Sequence, residues 1–413
     1  MEQKKCWWKA LLKAKTDQDT VSHVMNINIE AATKKGDNYM GELKRITLEL
    51  LLKSGKISKK SIIIKSSPTS TLRKDLHEKL GISRREIMVY RDILPYMEDI
   101  MREYNDYSEF MWGSCLHYNP YNTLYLVDLT KEGYMMKDRK LGLDMEHCLL
   151  VFRSLAKFHA TSLILKKRNL ISMEIFRENL VQHELFQQLN EPFLKDAYKR
   201  LADLVDTWEP EWKPIAEQIR TKISPNIIKM LENLFKTDES KFNVLCHGDC
   251  WVNNMMFKNG LDGVTPISVK FLDFQLTFYN SPAFDLHYFL SSSANLEVRR
   301  KNIPKLLEVY HETLCKQLEC YKYEGKIISL DELNIEMKRL DLFSLNIATT
   351  LLPAMFIENT EEVPDMEEYL KKVIETKEVD KDSWKEYFNP SSRFGDFMKV
   401  TLERIVKNNS LFA

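Results

Sequence analysis

Glycine and proline are scarce, 12 and 13 among 413 residues. So few chain breakers argue against long flexible linkers. Neither sign of charge is in excess: 60 Lys and Arg balance 60 Asp and Glu. That balance argues against a nucleic-acid-binding surface. No uninterrupted apolar run approaches the roughly 20 residues that a membrane span needs. The longest, Leu345 to Ile357, holds Asn346 and Pro353 and reads as a buried core helix. The first residues lead into Cys6-Trp7-Trp8-Lys9 and a mixed charged stretch, with no apolar core for a signal peptide. The seven cysteines (6, 115, 148, 246, 250, 315 and 320) are odd in number and scattered, so no disulfide framework is visible. Reduced thiols in a cytoplasmic protein are the simplest reading. What the chain does have is apolar material, 44% hydrophobic and 11% aromatic, enough for a sizeable core.

The first part reads as β-rich. Ile46, Leu48 and Leu50 alternate with Thr47 and Glu49, the period of a half-buried strand. Lys53-Ser54-Gly55-Lys56 reads as a turn, and Ile62-Ile63-Ile64-Lys65 as a buried strand. A helix is expected near Ser83 to Leu94, ended by Pro95. Leu124 to Val127 is a further apolar run. Beyond it the pattern turns helical. Cys148, Phe152, Leu155, His159 and Leu163 share one face, and Asp144 suits the N-cap of that helix. Helical segments fill 172–236, a β island runs from Phe242 to Asp273, and helices resume over 283–320 and 331–413. The expected fold class is α+β, with a small mixed lobe over roughly 1–127 and a larger, mainly helical lobe over roughly 128–413.

The island carries the chemistry. Val244-Leu245-Cys246 runs into a loop holding Asp249, and Asn254 heads a second apolar run. After the turn signals Asn259-Gly260 and Asp262-Gly263, a third strand ends at Asp273. An antiparallel hairpin sets the start of its first strand beside the end of its second, so Asn254 and Asp273 are expected to meet with Asp249 close by. Mg²⁺ takes hard oxygen ligands from one or two protein groups plus substrate phosphates. A further carboxylate off the metal can orient a hydroxyl and accept its proton. This spacing makes Asp249 the candidate catalytic base, and Asn254 and Asp273 the candidate metal ligands.

The block His247-Gly248-Asp249-Cys250-Trp251-Val252-Asn253-Asn254, followed by Asp273-Phe274-Gln275, resembles the choline kinase and aminoglycoside phosphotransferase superfamily. It is most similar to the ecdysteroid kinase-like branch. Supporting matches are Leu155-Ala156-Lys157-Phe158-His159-Ala160, Gly36-Asp37-Asn38-Tyr39, and Tyr279-Asn280-Ser281-Pro282-Ala283-Phe284-Asp285-Leu286. The resemblance implies a bilobal protein-kinase-like fold, ATP and Mg²⁺ as cofactors, and a small hydroxylated acceptor. It implies that Lys65 contacts the ATP phosphates and that Gly36, Asn38 and Gly41 lie in the phosphate-covering segment. It makes Glu86 the partner of Lys65, although Ser83-Arg84-Arg85-Glu86 is also a capping box. It places the adenine hinge at Leu124 to Leu129, where Val127 replaces the usual acidic residue, and has Asp285 brace the catalytic loop.

Plainer readings compete at several positions. Cys246, His247 and Cys250 have no second Cys/His pair to complete a zinc site. His159 is expected to be a satisfied core histidine, and 358–386 a solvated helical surface. A protein kinase is disfavoured because only Phe274 to Phe284 separate Asp273 from Asp285, without Ala-Pro-Glu. The remaining readings are a kinase of lipophilic acceptors such as an ecdysteroid or a hydroxylated xenobiotic, a kinase of choline- or aminoglycoside-type acceptors, and a silent nucleotide-binding relative. Phe278, Tyr279 and Phe289 are either an apolar acceptor wall or ordinary core. No protein partner is evident.

Overall fold

The computed structural model describes residues 21–32, 41–68, 70–356, 366–379 and 392–411. Gly36 and Asn38 lie outside these, as does much of the charged 358–386 stretch. The N-terminal part is a five-stranded antiparallel sheet of β1 (Val21–Ala31), β2 (Glu42–Leu52), β3 (Ile57–Ser66), β4 (Cys115–Asn119) and β5 (Thr123–Val127), in the order β1-β2-β3-β5-β4. The alternation in β2 does what its period implies. Ile46, Leu48 and Leu50 point to one face and join Val21, Val24 and Ile62 in a small core. Burying each such side chain contributes about 1.5–3 kcal/mol. β1 escaped the sequence reading because it is an edge strand with only two buried positions, Val21 and Val24.

The helix expected to stop at Pro95 does not stop there. Ile82–Met88 continues through a π-helical turn, Val89–Ile93, into Leu94–Glu103. Pro95 sits in the first turn of that last segment, where a missing N–H costs least. The capping box does not form either. Gly81 is the N-cap without a side-chain bond, and the Ser83 hydroxyl pairs with Ser67 at 2.8 Å. Glu86 is thereby left for Lys65.

The rest is mainly helical, as expected for α+β. Asp144 caps the helix Met145–Lys167 by accepting from the His147 amide at 3.0 Å. By length and composition this helix is apolar enough to cross a membrane, but 78% of its most apolar window is buried inside the protein. It is the core helix of the larger part, which explains why it is apolar nearly all round. Asp341–Phe356 is likewise a buried helix, Pro353 included. Within the charged stretch, the helix Met366–Thr376 is not wholly solvated: Val373 is buried with Leu76 and Leu189.

Candidate active site

Four short strands form the β island. β6 (Val244–Cys246) pairs with β9 (Phe278–Asn280), and β7 (Met255–Asn259) with β8 (Pro266–Phe271), both antiparallel. In the second hairpin Met255 faces Phe271, and the Leu272 amide donates to the Asn254 carbonyl at 2.8 Å. That register holds Asn254 across from Leu272, one residue from Asp273, as the hairpin argument requires. Asp249 lies in the loop after β6, and a 3-10 turn, Val252–Asn254, returns the chain to it.

Both oxygens of Asp249 are engaged. Asn254 Nδ2 donates to Oδ2 at 2.7 Å and to the Asp249 carbonyl at 3.0 Å. The Tyr288 hydroxyl donates to Oδ1 at 2.5 Å. Burial, and then the charge of Asp273, push the Asp249 carboxyl up to about 7, against the pull of these two hydrogen bonds and of Lys65. Sequence reading gave Tyr288 no role. The available signal was its spacing: it lies three residues after Asp285 on the helix Ala283–Ser292, so both reach the same loop.

Lys65, one residue before the end of β3, lies between two carboxylates. Its Nζ lies 2.8 Å from Glu86 Oε1 and 2.5 Å from Asp273 Oδ1. Burial opposes the ammonium charge, but Asp273 and Glu86 outweigh it and hold Lys65 protonated. Asp273 has a left-handed backbone, φ 65° and ψ 65°, which is uncommon for a residue with a Cβ. Such strain costs on the order of 1–3 kcal/mol and collects at functional sites.

A second layer fixes the loop. Asp285 accepts from the amides of His247 at 2.6 Å and Gly248 at 2.9 Å, and meets His159 Nε2 at 3.1 Å. Burial would raise this carboxyl, yet His159 and the amides hold it low and ionised. His159 is also bonded to the Tyr310 hydroxyl at 2.8 Å, so it is a satisfied core histidine. His247 Nε2 donates to the Leu272 carbonyl at 2.9 Å, while its Nδ1 accepts from the Asp249 amide at 3.2 Å. That pairing requires a neutral ring, and burial indeed lowers its pKa. Gly248 has φ +85°, and a Cβ there would meet the Leu276 carbonyl oxygen at 2.1 Å. Only glycine fits.

Lys65, Glu86, Asn253, Asn254 and Asp273 line one end of a cavity of about 570 Å³. Ile63, Leu126, Val127, Met256 and Leu272 give it an apolar slot, with Asp128 and Leu129 alongside. The expected hinge segment therefore borders the cavity. The acidic residue stands one position after Val127: buried Asp128 accepts from Arg45 at 2.8 Å and Ser61 at 2.5 Å. Gly41 is outside the lining; a Cβ on it would come within 2.9 Å of the Ser66 carbonyl oxygen, so it is packed against the end of β3. Phe278 and Phe289 are core: Phe278 packs on Phe235 and Phe284, and Phe289 on Phe152. Tyr279 borders a separate groove with Lys166 and Glu239. Trp251 is half-buried.

A sequence model of the ecdysteroid kinase-like family matches residues 35–323. No curated protein matches the chain. Among solved structures, the chain is similar to a choline kinase from Cryptosporidium parvum Iowa II, with 12% identity and TM-score 0.44 over 94% of each chain. It is similar to the amicoumacin kinase hAmiN in complex with AMP-PNP, Ca²⁺ and Ami, with 11% identity and TM-score 0.39 over 93% of this chain and 89% of that one. A third is the gentamicin complex of APH(2")-IIa, with 14% identity and TM-score 0.36 over 91% and 94%. The family match spans most of the chain and includes Lys65, Glu86, Asp249, Asn254 and Asp273, so the protein belongs to the ecdysteroid kinase-like family and is a small-molecule phosphotransferase acting on hydroxyl groups.

Proposed function

We propose that the protein transfers the γ-phosphate of Mg·ATP to a hydroxyl of a lipophilic acceptor such as an ecdysteroid or a hydroxylated xenobiotic. The observation that carries the reading is the adjacency of two pairs: Asn254 bonded to Asp249 and Lys65 paired with Asp273, joined by the Leu272 amide on the Asn254 carbonyl, with Lys65, Asn254 and Asp273 lining one cavity. The donor set suits the cofactor. Asn254 and Asp273 offer hard oxygens for Mg²⁺, Lys65 is a fixed cation for phosphate, and the apolar slot beside Leu126 and Met256 matches a flat base. When bound, Mg·ATP supplies the phosphoryl group and neutralises its developing charge.

The chain's own residues do the rest. Asn254 donates its Nδ2 to Asp249, which leaves its Oδ1 free to face a cation. Asp249 orients the acceptor hydroxyl and takes its proton. Tyr288 and Asn254 fix its carboxylate plane, and a carboxyl near 7 is matched to proton transfer at neutral pH. Glu86 holds Lys65 toward Asp273.

The test is an ATP-consumption screen of purified protein with Mg²⁺ against ecdysteroids, other hydroxylated lipophiles, choline, ethanolamine and aminoglycosides. Consumption with lipophilic hydroxyl compounds, abolished by Asp249→Asn, is the expected result. Turnover confined to choline or aminoglycosides would reassign the acceptor. Mg·ATP binding without turnover on any acceptor would point to the silent relative.

A further inference from the structure

Arg85 and Glu86 are neighbours on the helix Ile82–Met88 and reach different parts of the chain. Glu86 pairs with Lys65 at 2.8 Å and accepts from the Phe274 amide. Arg85 donates through Nη1 to the Thr277 carbonyl at 3.0 Å and through Nη2 to the Glu178 carbonyl at 3.0 Å. Both acceptors are main-chain oxygens, so a side-chain rotation at Thr277 or Glu178 does not release them. The fork geometry of a guanidinium suits two such acceptors, and lysine does not reproduce it.

What Arg85 grips is itself immobilised. Thr277 is fully buried, and its hydroxyl donates to the His247 carbonyl at 3.4 Å. Leu276 packs against Gly248 so closely that no Cβ fits between them. Tyr90, one turn beyond Glu86, meets Phe274 edge-to-face at 5.6 Å between ring centroids. The helix carrying Glu86, the segment after Asp273 and the catalytic loop are thus tied into one unit.

We infer that Arg85 is a positioning residue: it latches the helix Ile82–Met88 to the Thr277 and Glu178 carbonyls and thereby sets the Lys65–Glu86 pair. A lysine–glutamate pair of this kind has to be in place for phosphoryl transfer, and protein kinases control it through the position of the glutamate helix and phosphorylation of a long loop. Here Arg85 grips the short segment Phe274 to Phe284 at the Thr277 carbonyl, and the Lys65–Glu86 pair stands assembled beside it. This inference rests on the nucleotide reading above for its consequence, not for its geometry.

The test uses the full chain with Arg85→Met, Arg85→Lys, Glu86→Gln and the double variant Arg85→Met/Glu86→Gln. Mg·ATP affinity is measured by calorimetry, and amide exchange over 82–88 and 274–277 by mass spectrometry. Arg85→Met is expected to weaken Mg·ATP binding about tenfold, the scale of one lost charged hydrogen bond. In the Glu86→Gln background it is expected to add nothing, because Arg85 acts through Glu86. Arg85→Lys retains the charge, guards against a misfolded methionine variant, and is expected to fall between. Fully additive losses, or wild-type affinity in both Arg85 variants, would overturn the latch. Exchange needs no nucleotide: faster exchange at 82–88 in Arg85→Met supports the latch, and unchanged exchange overturns it. A wild-type chain that bound no Mg·ATP would instead defeat the proposed function, with the exchange result still deciding the latch.

Discussion

The Tyr288 hydroxyl donates to Asp249 Oδ1 at 2.5 Å, across from the bond that Asn254 makes to Oδ2. The pair joins a helix that carries Asp285 to the loop that Asp285 braces, so one helix both fixes the loop backbone and orients its carboxylate.

Tyr288→Phe removes the bond that favours the ionised carboxylate and keeps the ring. The Asp249 carboxyl, which burial and Asp273 already push up to about 7, then rises further. A larger share is protonated at neutral pH, so turnover at pH 7 falls, by about tenfold if one charged hydrogen bond is lost. The acid limb of kcat/KM is expected to move to higher pH in a pH–rate profile, with Mg·ATP affinity little changed.

Asp249→Asn and Asp273→Ala separate the two carboxylates. The first is expected to lower turnover by about 100-fold or more while Mg·ATP still binds. The second is expected to lose the Mg²⁺-dependent part of nucleotide affinity, read by calorimetry with and without the metal. Unchanged Mg·ATP affinity in Asp273→Ala would remove it from the metal-ligand role.

Gly248→Ala places a methyl group 2.1 Å from the Leu276 carbonyl oxygen on a backbone with φ +85°. Strain and clash together are expected to cost about 3 kcal/mol or more. The check is the denaturation midpoint, together with loss of turnover because Asp249 is the next residue.

Acid stability has a separate cause. His287 is buried and donates through Nε2 to the Met337 carbonyl at 2.7 Å. Burial, and then Arg404, lower it from 6.5 to about 4. The unfolded chain therefore takes up a proton below 6.5 that the folded chain refuses until about 4. The contribution of His287 to stability is full above 6.5 and is expected to fall by roughly 3 kcal/mol as pH drops through that window, while the raised carboxyls of Asp249 and Glu86 act in the opposite sense. His287→Gln keeps a donor for the Met337 carbonyl and is expected to flatten this part of a stability–pH curve.

The site was legible where chemistry forces spacing. Asn254 stands beside Leu272, one residue from Asp273, because the hairpin register leaves no alternative, and Asp144 caps its helix because its side chain is short and oxygen-bearing. The alternation in β2 gave its strand. β1 was not legible, since an exposed edge strand carries too few apolar positions to show a period. Pro95 misled because a π-helical turn ahead of it let the chain continue as helix. The capping box at Ser83 was a valid local pattern that Ser67 and Lys65 broke up by long-range bonds. Tyr288 and Arg85 went unread for the same reason: their partners lie 39 and 192 residues away in sequence, at Asp249 and Thr277.

The most direct test of the central claim is phosphoryl transfer itself, followed with γ-labelled ATP, Mg²⁺ and a hydroxylated lipophile such as an ecdysteroid, for wild type and Asp249→Asn side by side. Label on an acceptor hydroxyl with wild type, and none with Asp249→Asn, is the expected result. Equal transfer by both proteins would contradict the assignment of Asp249 as the proton acceptor, and with it the account of the site.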